Sequence, residues 1–373
     1  MQNLHYLCTH ISSAVNIYTD IKDIALSSWQ SLLTRSAVAT WFQTPEAYRF
    51  YASVPQEMTP FVFAVEEDTQ DSPISVESAE SAENTDTDRT PKGRHATLTG
   101  VIVGYITLER SALKQYFSRR AIILGGPLLD ENISEEALAT LLLAVRSNLQ
   151  QKAIYIETRN FHDYSPWRSI FEQCGFTYQP HLNYQIDCTA DALQRMKSNR
   201  RRQVRKAFAN GATIREADSE QQVQAFYHLL HQLYRTRIKT PLPSQTFFLT
   251  LFRQQAAKFL LVYHQDTIIG GIVCPILGQD TIYEWFVCGL NKEYRQQYPS
   301  VLATYAAIQY ATTHNIATFD MMGAGTPDIP YGVRTFKARF GGQEVEHGRY
   351  CAINHPRLYR LGVAVIRLLH RFY

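Results

Sequence analysis

With 373 residues, 45% of them apolar and 12% aromatic, the chain is long enough for two cored domains and too rich in large side chains to stay unfolded. The net charge of +3 conceals a split: Glu66–Thr90 holds nine acidic residues against one basic, and taking away its net −8 leaves the rest at +11, a basic body suited to a polyanion or an anionic membrane face. Six scattered cysteines without a CxxC pair argue against a disulfide frame or a zinc site. The longest apolar run, Ala137–Val145, falls far short of the ~20 residues that cross a bilayer, and no signal pattern opens the chain, so the expectation is a cytoplasmic protein.

In chain order, the pattern predicts helices over Ile21–Leu33 and Pro45–Tyr51, the second with Thr44 as N-cap and Pro45 in its first turn. Strands follow at Phe61–Val65 and Leu98–Glu109. Between them the Ser/Glu/Asp/Thr-rich segment 66–97 reads as a disordered hairpin tip. Ala121–Leu124 is a strand closed by Gly125-Gly126-Pro127. A helix from Ser134 to about Gln151 carries Leu138, Leu141, Leu142 and Val145 on one face. Strand Ala153–Thr158, helix Ser165–Cys174 stopped by Gly175, and strand Tyr184–Cys188 complete a first unit, taken as residues 1–190.

The second unit, 191–373, opens with a basic helix over 193–206 in which seven cations, among them Arg200, Arg201, Arg202, Arg205 and Lys206, meet no acid. Such a cluster suits tRNA phosphates or an anionic surface, because seven unopposed cations repel one another unless something neutralises them; a solvated linker helix is the competing account. Helices Gln221–Arg237 and Ser244–Ala257 come next. They lead to strands Phe259–His264, Thr267–Ile276 and Thr281–Cys288, helix Ser300–His314 and strand Ala317–Met321. His228 and His231 lack a third ligand, so no metal site is expected.

After Met321 comes a loop with Gly323, Gly325, Pro327, Pro330 and Gly332, followed by Arg334, Lys337 and Arg339 on a short helix over Thr335–Phe340. Backbone free of Cβ atoms, feeding a cationic helix, suits a substrate with phosphate or oxyanion character; an ordinary strand-to-helix connection is the competing account. Asp320 either orients an acceptor amine or caps the loop. A strand near Gln343–Ile353 and a terminal helix over 356–373 end the chain. The helix sets Arg357, Arg360, Arg367 and Arg371 against Leu361, Val365, Leu368 and Phe372, a face for a membrane surface or for packing on the second domain.

The two units repeat one order of elements. Ile154 maps to Thr318 and Phe171 to Phe336, at offsets of 164 and 165, so an internal duplication is expected. Helix, antiparallel meander, helix, strand, helix and strand is the order of a GNAT acyltransferase domain, and Ile170–Phe176 resembles its late helix ending in Gly-Phe. Two such units in tandem resemble the Fem family of peptidoglycan interpeptide-bridge aminoacyltransferases and their BioF2-like relatives. The resemblance rests on Trp41–Pro45, Gly125-Gly-Pro127, the basic helix ending Arg205-Lys-Ala207, and Tyr331–Lys337. It implies an α/β (α+β) fold of two GNAT-like domains with mixed central sheets flanked by helices.

The resemblance further implies transfer of an aminoacyl group from aminoacyl-tRNA to an amine of a muropeptide precursor, possibly lipid-linked, with no cofactor beyond the acyl donor. It places Phe336 and Lys337 beside the acceptor, with Lys337 steadying the oxyanion, and together with proximity it points to Tyr331 and Arg334 for acceptor contacts; Gly323, Gly325 and Asp320 are acceptor-site candidates by their position in the loop. Trp41, Phe42 and Gln43 either line the first-domain cleft or belong to the core. Two departures stand out. The segment Leu193–Gln254 is too short and interrupted for the long helical arm of some Fem enzymes. Arg295–Ser300 puts Tyr298 and Pro299 where acyl-CoA-using domains carry a glycine-rich pyrophosphate loop. An N-acyltransferase taking acyl-CoA or acyl-carrier protein, and an inert binding protein, are the alternatives.

Overall fold

The computed structural model describes residues 15–69, 95–108, 119–189, 191–238 and 241–371, with side chains up to 364 in the terminal helix. The described residues begin with β1 (Val15–Tyr18), a 3-10 turn at Ile21–Asp23 and α1 (Leu26–Arg35). The expected continuous helix over 21–33 is interrupted because Ile24 and Ala25 are extended. α2 (Pro45–Ala52) starts as its sequence dictates, with the Thr44 hydroxyl accepting from the Ala47 N–H and Pro45 in the first turn.

β2 (Met58–Thr69) and β3 (His95–Thr107) pair antiparallel as far as Thr69 opposite His95. The ladder therefore runs four residues into the acidic segment from its N-terminal side; residues 70–94 lie outside the described ones. β4 (Arg120–Gly125), β5 (Leu128–Leu129), α3 (Glu135–Leu149), β6 (Tyr155–Asn160), α4 (Arg168–Gln173), β7 (Thr177–Gln179) and β8 (Leu182–Asp187) follow.

The second half holds α5 (Ala192–Arg195), α6 (Ser198–Ala209), β9 (Ala212–Glu216) and α7 (Glu220–Leu233), which runs into a π-helical turn at Tyr234–Ile238. α8 (Gln245–Arg253), β10 (Lys258–His264), β11 (Thr267–Cys274), β12 (Ile276–Leu277), β13 (Thr281–Tyr283) and β14 (Phe286–Gly289) come next. α9 (Pro299–Thr313), β15 (Thr318–Gly323), α10 (Gly332–Lys337), β16 (Gln343–Glu346), β17 (Arg349–Ile353) and α11 (Pro356–Arg371) complete it. The expected basic helix is two helices, because Met196 turns to an extended conformation and buries in the core.

The duplication is visible in the sheets. α3 and α9 are each 15 residues long. In each half the strand after that helix pairs parallel with the second strand before it, β6 with β4 and β15 with β13. The fold is mixed α/β in two tandem GNAT units, but the sheets do not divide at residue 190. β8 lies between β15 and β16 in the second half, and β17 lies between β6 and β7 in the first.

Burial explains the exchange. Leu182, Tyr184 and Ile186 of β8 join the core under α9, whereas Tyr350 and Ala352 of β17 join the core under α3, with Tyr350 stacked on Phe171 at 4.1 Å. The expected single strand 343–353 is thus two strands in two sheets. They are joined through Gly348 at φ +65°, where a Cβ would lie 2.2 Å from the Tyr178 ring. The first turn of α11 packs on the first half, Tyr359 against Tyr155 at 5.3 Å, rather than on the second domain, while Leu361 is 49% exposed. The side chains of Val365, Arg367, Leu368, Arg371 and Phe372 lie outside the described ones. Among the described residues no helix is long and apolar enough to cross a membrane.

Candidate active site

The strand expected over Thr281–Cys288 breaks at Glu284 and Trp285. β13 pairs with β15 in one sheet and β14 with β11 in another, so the sheets part at those two residues. There a cleft of about 1570 Å³ opens between the halves. One wall is a single face of the first sheet, read off by the two-residue period of strands: Arg120, Ile122 and Leu124 of β4, Arg159 of β6 and Arg349 of β17. The facing wall holds Glu284, Trp285, Met322, Gly323, Tyr331 and Lys337, and the turn at 234–238 with Pro241–Ser244 forms part of the rim.

Lys337 is 5% exposed. Its ammonium donates to the Met321 carbonyl, to the Gly323 carbonyl at 3.1 Å, and pairs with Glu284 Oε1 at 3.1 Å. Three N–H groups thus have three acceptors. The Thr304 hydroxyl donates to Glu284 Oε2 at 3.4 Å. Burial raises the Glu284 pKa, and the Lys337 ammonium works against that rise.

The other expected site residues divide by geometry. Gly323 and Tyr331 line the cleft, Tyr331 at 46% exposure. Gly325, at φ +83°, supports Tyr331 instead, since a Cβ there would lie 3.0 Å from its ring. Asp320 is buried and caps the β15 bulge: Oδ1 accepts from the Met322 N–H at 2.5 Å and Oδ2 from Gln185 Nε2 at 3.0 Å. That cap holds Met322 at φ +57° and turns the chain toward the cleft. Burial pushes the Asp320 carboxyl up to about 6.

Arg334 does not reach the cleft. Its guanidinium donates to the carbonyls of Ala324 (3.2 Å), Pro327 (2.9 Å) and Thr326, so it fixes the loop's shape. Phe336 faces the other way, against Phe340 at 5.2 Å and under the Arg200 guanidinium at 4.5 Å. Arg200 therefore stands apart from the surface cations it was grouped with. It is 3% exposed and donates to the Phe336 carbonyl at 3.2 Å, and burial pushes its pKa down to about 10. Arg201, Arg202, Arg205 and Lys206 are exposed on α6. Trp41, Phe42 and Gln43 are core: Phe42 meets Trp285 edge-on at 5.1 Å, and Gln43 Nε2 donates to the Gly126 carbonyl at 2.9 Å.

The sequence reading passed over Glu284, Arg120, Arg159, Arg349, Glu157 and His181. A signal existed for Glu284, the lone charge in the apolar strand Thr281–Cys288, and for Glu157 and Arg159, alternating on one strand face. Arg349 Nη1 donates to Glu157 Oε1 at 2.6 Å, and Arg159 Nη2 to Glu157 Oε2 at 3.2 Å. Burial alone would raise the Glu157 carboxyl; the two guanidiniums outweigh it and hold the group below its usual range. His181 Nε2 lies 2.9 Å from Arg349 Nη2 and is the acceptor there; burial and the neighbouring cations push its pKa down to about 4. The described residues contain no cluster of three or more His, Cys, Asp or Glu placed to hold a metal ion.

Residues 194–337 match the family described as acetyltransferase (GNAT) domain. Among solved structures the chain resembles FemX at 14% identity, covering 92% of this chain and 99% of that one, with a TM-score of 0.63. It also resembles a tandem GNAT protein from the clavulanic acid biosynthesis pathway (10% identity, 91% and 98% covered, TM-score 0.53) and L-PGS from Bacillus licheniformis (14% identity, 72% and 86% covered, TM-score 0.50). No curated protein matches the sequence.

Proposed function

From a chain with a GNAT acyltransferase domain and a fold like those of FemX and of a tandem GNAT protein, we propose an aminoacyl- or acyltransferase that forms an amide on an amine of a peptidoglycan precursor, with aminoacyl-tRNA as donor. The observation that carries this reading is the buried Lys337–Glu284 pair on the cleft wall. When an amine attacks an ester carbonyl, the N–C bond forms, negative charge gathers on the carbonyl oxygen, and the ester C–O bond then breaks as the amine loses a proton. Lys337 supplies the positive charge. A donor oxygen reaching its Nζ takes the place of the Gly323 carbonyl, the longer of its two backbone contacts. Glu284, beside it, is the carboxylate placed to take the amine proton and to pass it to the departing ester oxygen, which leaves as a hydroxyl.

The helix starts support a donor other than acyl-CoA. A pyrophosphate needs free N–H groups at a helix N-terminus. In the first turn of α9, Pro299 has none, the Ser300 N–H donates to Asn291 Oδ1 at 3.1 Å, and the Val301 and Leu302 N–H groups both donate to the Tyr298 carbonyl. In α3 the Ser134 hydroxyl caps the Ala137 N–H, and Glu135 and Glu136 set negative charge in the first turn. An aminoacyl ester of tRNA makes no such demand.

The test incubates the purified chain with charged tRNA or with acyl-CoA, a muropeptide carrying a free amine, and a mass readout. The expected result is mass added from charged tRNA only, abolished by prior RNase treatment. Mass added from acyl-CoA, or resistance to RNase, overturns the donor assignment, and an unchanged kcat in Lys337→Met overturns the role of the pair.

A further inference from the structure

The buried ion pair is held by β15. That strand pairs with β8 at Asp320 and again at Gly323, and Met321 and Met322 bulge between the two pairs. Lys337 Nζ donates to the carbonyls on either side of Met322, those of Met321 and Gly323. Glu284 is tied to the same strand, because its N–H donates to the Asp320 carbonyl at 2.9 Å. The Asp320 side chain, 1% exposed, fixes the bulge: Oδ1 accepts from the Met322 N–H at 2.5 Å and Oδ2 from Gln185 Nε2 at 3.0 Å. The second hydrogen of Gln185 Nε2 goes to the carbonyl of Phe161, a cleft-lining residue of the first half, at 3.0 Å. A chain of hydrogen bonds thus runs from the first-half wall through Gln185 and Asp320 to the bulge that carries Lys337.

We propose that Asp320 and Gln185 are positioning residues of the reaction: the carboxylate clamps the β15 bulge, and the bulge holds Lys337 and Glu284 at the separation and direction that transfer needs. Both groups that reach the Asp320 side chain are donors, so position 320 must offer an acceptor on each arm. A carboxylate does so, and at neutral pH it is ionised, since burial raises its pKa only to about 6. An Asn amide would meet one donor and set its own NH2 against the other. Turning Gln185 to suit it would press the Gln185 oxygen on the Phe161 carbonyl. The titratable groups that face Asp320 are Tyr283 on β13, kept neutral because burial drives its pKa up, and the pair itself, Glu284 and Lys337. Met322 sits at φ +57°, a conformation that a residue with a side chain holds only where its surroundings impose it. Releasing the clamp leaves both members of the pair in the chain but lets the bulge relax, and a shift of about 1 Å in a reacting group can slow a reaction on the order of 10²-fold.

The inference rests on the acyltransferase reading for its reaction, and one of its two readouts needs no turnover. Wild type, Asp320→Asn, Gln185→Met and Lys337→Met are compared as full chains at neutral pH. In steady-state transfer, Asp320→Asn should lower kcat on the order of tenfold to 10²-fold and leave KM within about twofold, and Gln185→Met should do the same to a smaller extent. In chains carrying isotope-labelled lysine, the Lys337 ammonium should give a nitrogen resonance protected from exchange with water, identified by its loss in Lys337→Met. In Asp320→Asn and Gln185→Met that resonance should move and exchange faster, on the order of tenfold or more. An unmoved resonance overturns the proposal, as does an unchanged kcat in the folded variants or a wild type with no protected Lys337 resonance. A raised KM at unchanged kcat would make Asp320 a binding residue and also overturns it. Should Asp320→Asn fail to fold, Gln185→Met gives both readouts. A resonance that moves in a chain with no transfer from any donor would remove the acyltransferase reading and leave the clamp standing; transfer with an unmoved resonance would do the reverse.

Discussion

In the first half the parallel pair β4–β6 is continuous, and the side chains it turns to the cleft include Arg120 and Arg159. In the second half the corresponding pair is interrupted: β13 ends at Tyr283, and Glu284 at the break meets Lys337 from α10. One duplicated scaffold has thus been fitted in two ways. The unbroken copy turns Arg120 and Arg159 to the cleft, with Glu157 paired to Arg159 and Arg349. The broken copy sinks a matched ion pair into the wall, which suits a reaction that must develop charge without water. The difference comes from two residues, Glu284 and Trp285, at which the chain leaves one sheet for the next.

Removing the ammonium from the broken copy should have the largest effect. Lys337→Met is expected to lower kcat on the order of 10²–10³-fold, the scale of losing one oxyanion partner. Because it strands Glu284, it should also cost about 3–5 kcal/mol of stability. Adding Glu284→Gln to Lys337→Met should recover part of the stability and none of the turnover. A urea double-mutant cycle run beside the kinetics separates the two, and full recovery of turnover would show that the pair is structural.

The two glycine stops sharpen the comparison further. Gly175 and Gly341 occupy matching positions after α4 and after α10, at φ +79° and +86°. A Cβ at Gly341 would meet the Arg195 carbonyl at 2.5 Å, which is backbone, whereas one at Gly175 would meet the end of the Arg146 side chain. Gly341→Ala should therefore cost about 2–3 kcal/mol and Gly175→Ala about 1–2, both through the left-handed conformation and the first also through backbone displacement. Equal urea midpoints for the two would count against this ranking.

Titration divides the molecule in a third way. Asp320, with its folded pKa raised to about 6, holds a proton that the unfolded chain has released, so its contribution falls as pH rises from about 4 to about 6. His181 and His347, with folded pKa values near 4, act in the opposite sense: the unfolded chain binds the extra proton, and their contribution grows as pH rises from about 4 to about 6.5. The stability difference between wild type and Asp320→Asn, measured by urea unfolding across pH 4–7, should change by on the order of 2 kcal/mol toward the variant as pH rises. A flat difference would mean that Asp320 stays ionised in the fold.

The smallest effect is expected on α6. Replacing Arg202, Arg205 and Lys206 by alanine, all exposed, should move stability by no more than about 0.5 kcal/mol. Should these side chains contact tRNA phosphates, the same variants would lower the salt slope of RNA binding by about one per cation removed. Salt-dependent filter binding reads that slope, and an unchanged slope would leave α6 a solvated helix.

Much of this was legible along the chain. The Thr44 cap, the leucine face of α3 and the span of α9 within one residue of the expected Ser300–His314 follow from local rules, because capping and periodicity act within a few turns of the backbone. The site was legible in part. Lys337, Gly323 and Tyr331 do reach the cleft, whereas Arg334, Asp320 and Gly325 shape the loop behind it, and Phe336 and Arg200 pack on each other. Side chains three residues apart on one short helix can face a cleft or a core, and sequence spacing does not say which.

What the sequence determined by itself was the order of elements, the repetition of one unit and the cationic loop-and-helix near its end. What only the tertiary structure decided was which partners those elements took. Strands β8 and β17 change sheets because their apolar faces fit the other half's core, and that exchange is fixed by contacts more than 100 residues apart, such as Arg349 with Glu157 and Asp320 with Gln185. Arg349 stands beside Glu157 only once β17 has crossed, and Glu284 meets Lys337 only where β13 leaves its sheet beside β15. Burial makes the pair matter, and burial is a property of the folded assembly of strands, not of any stretch of sequence.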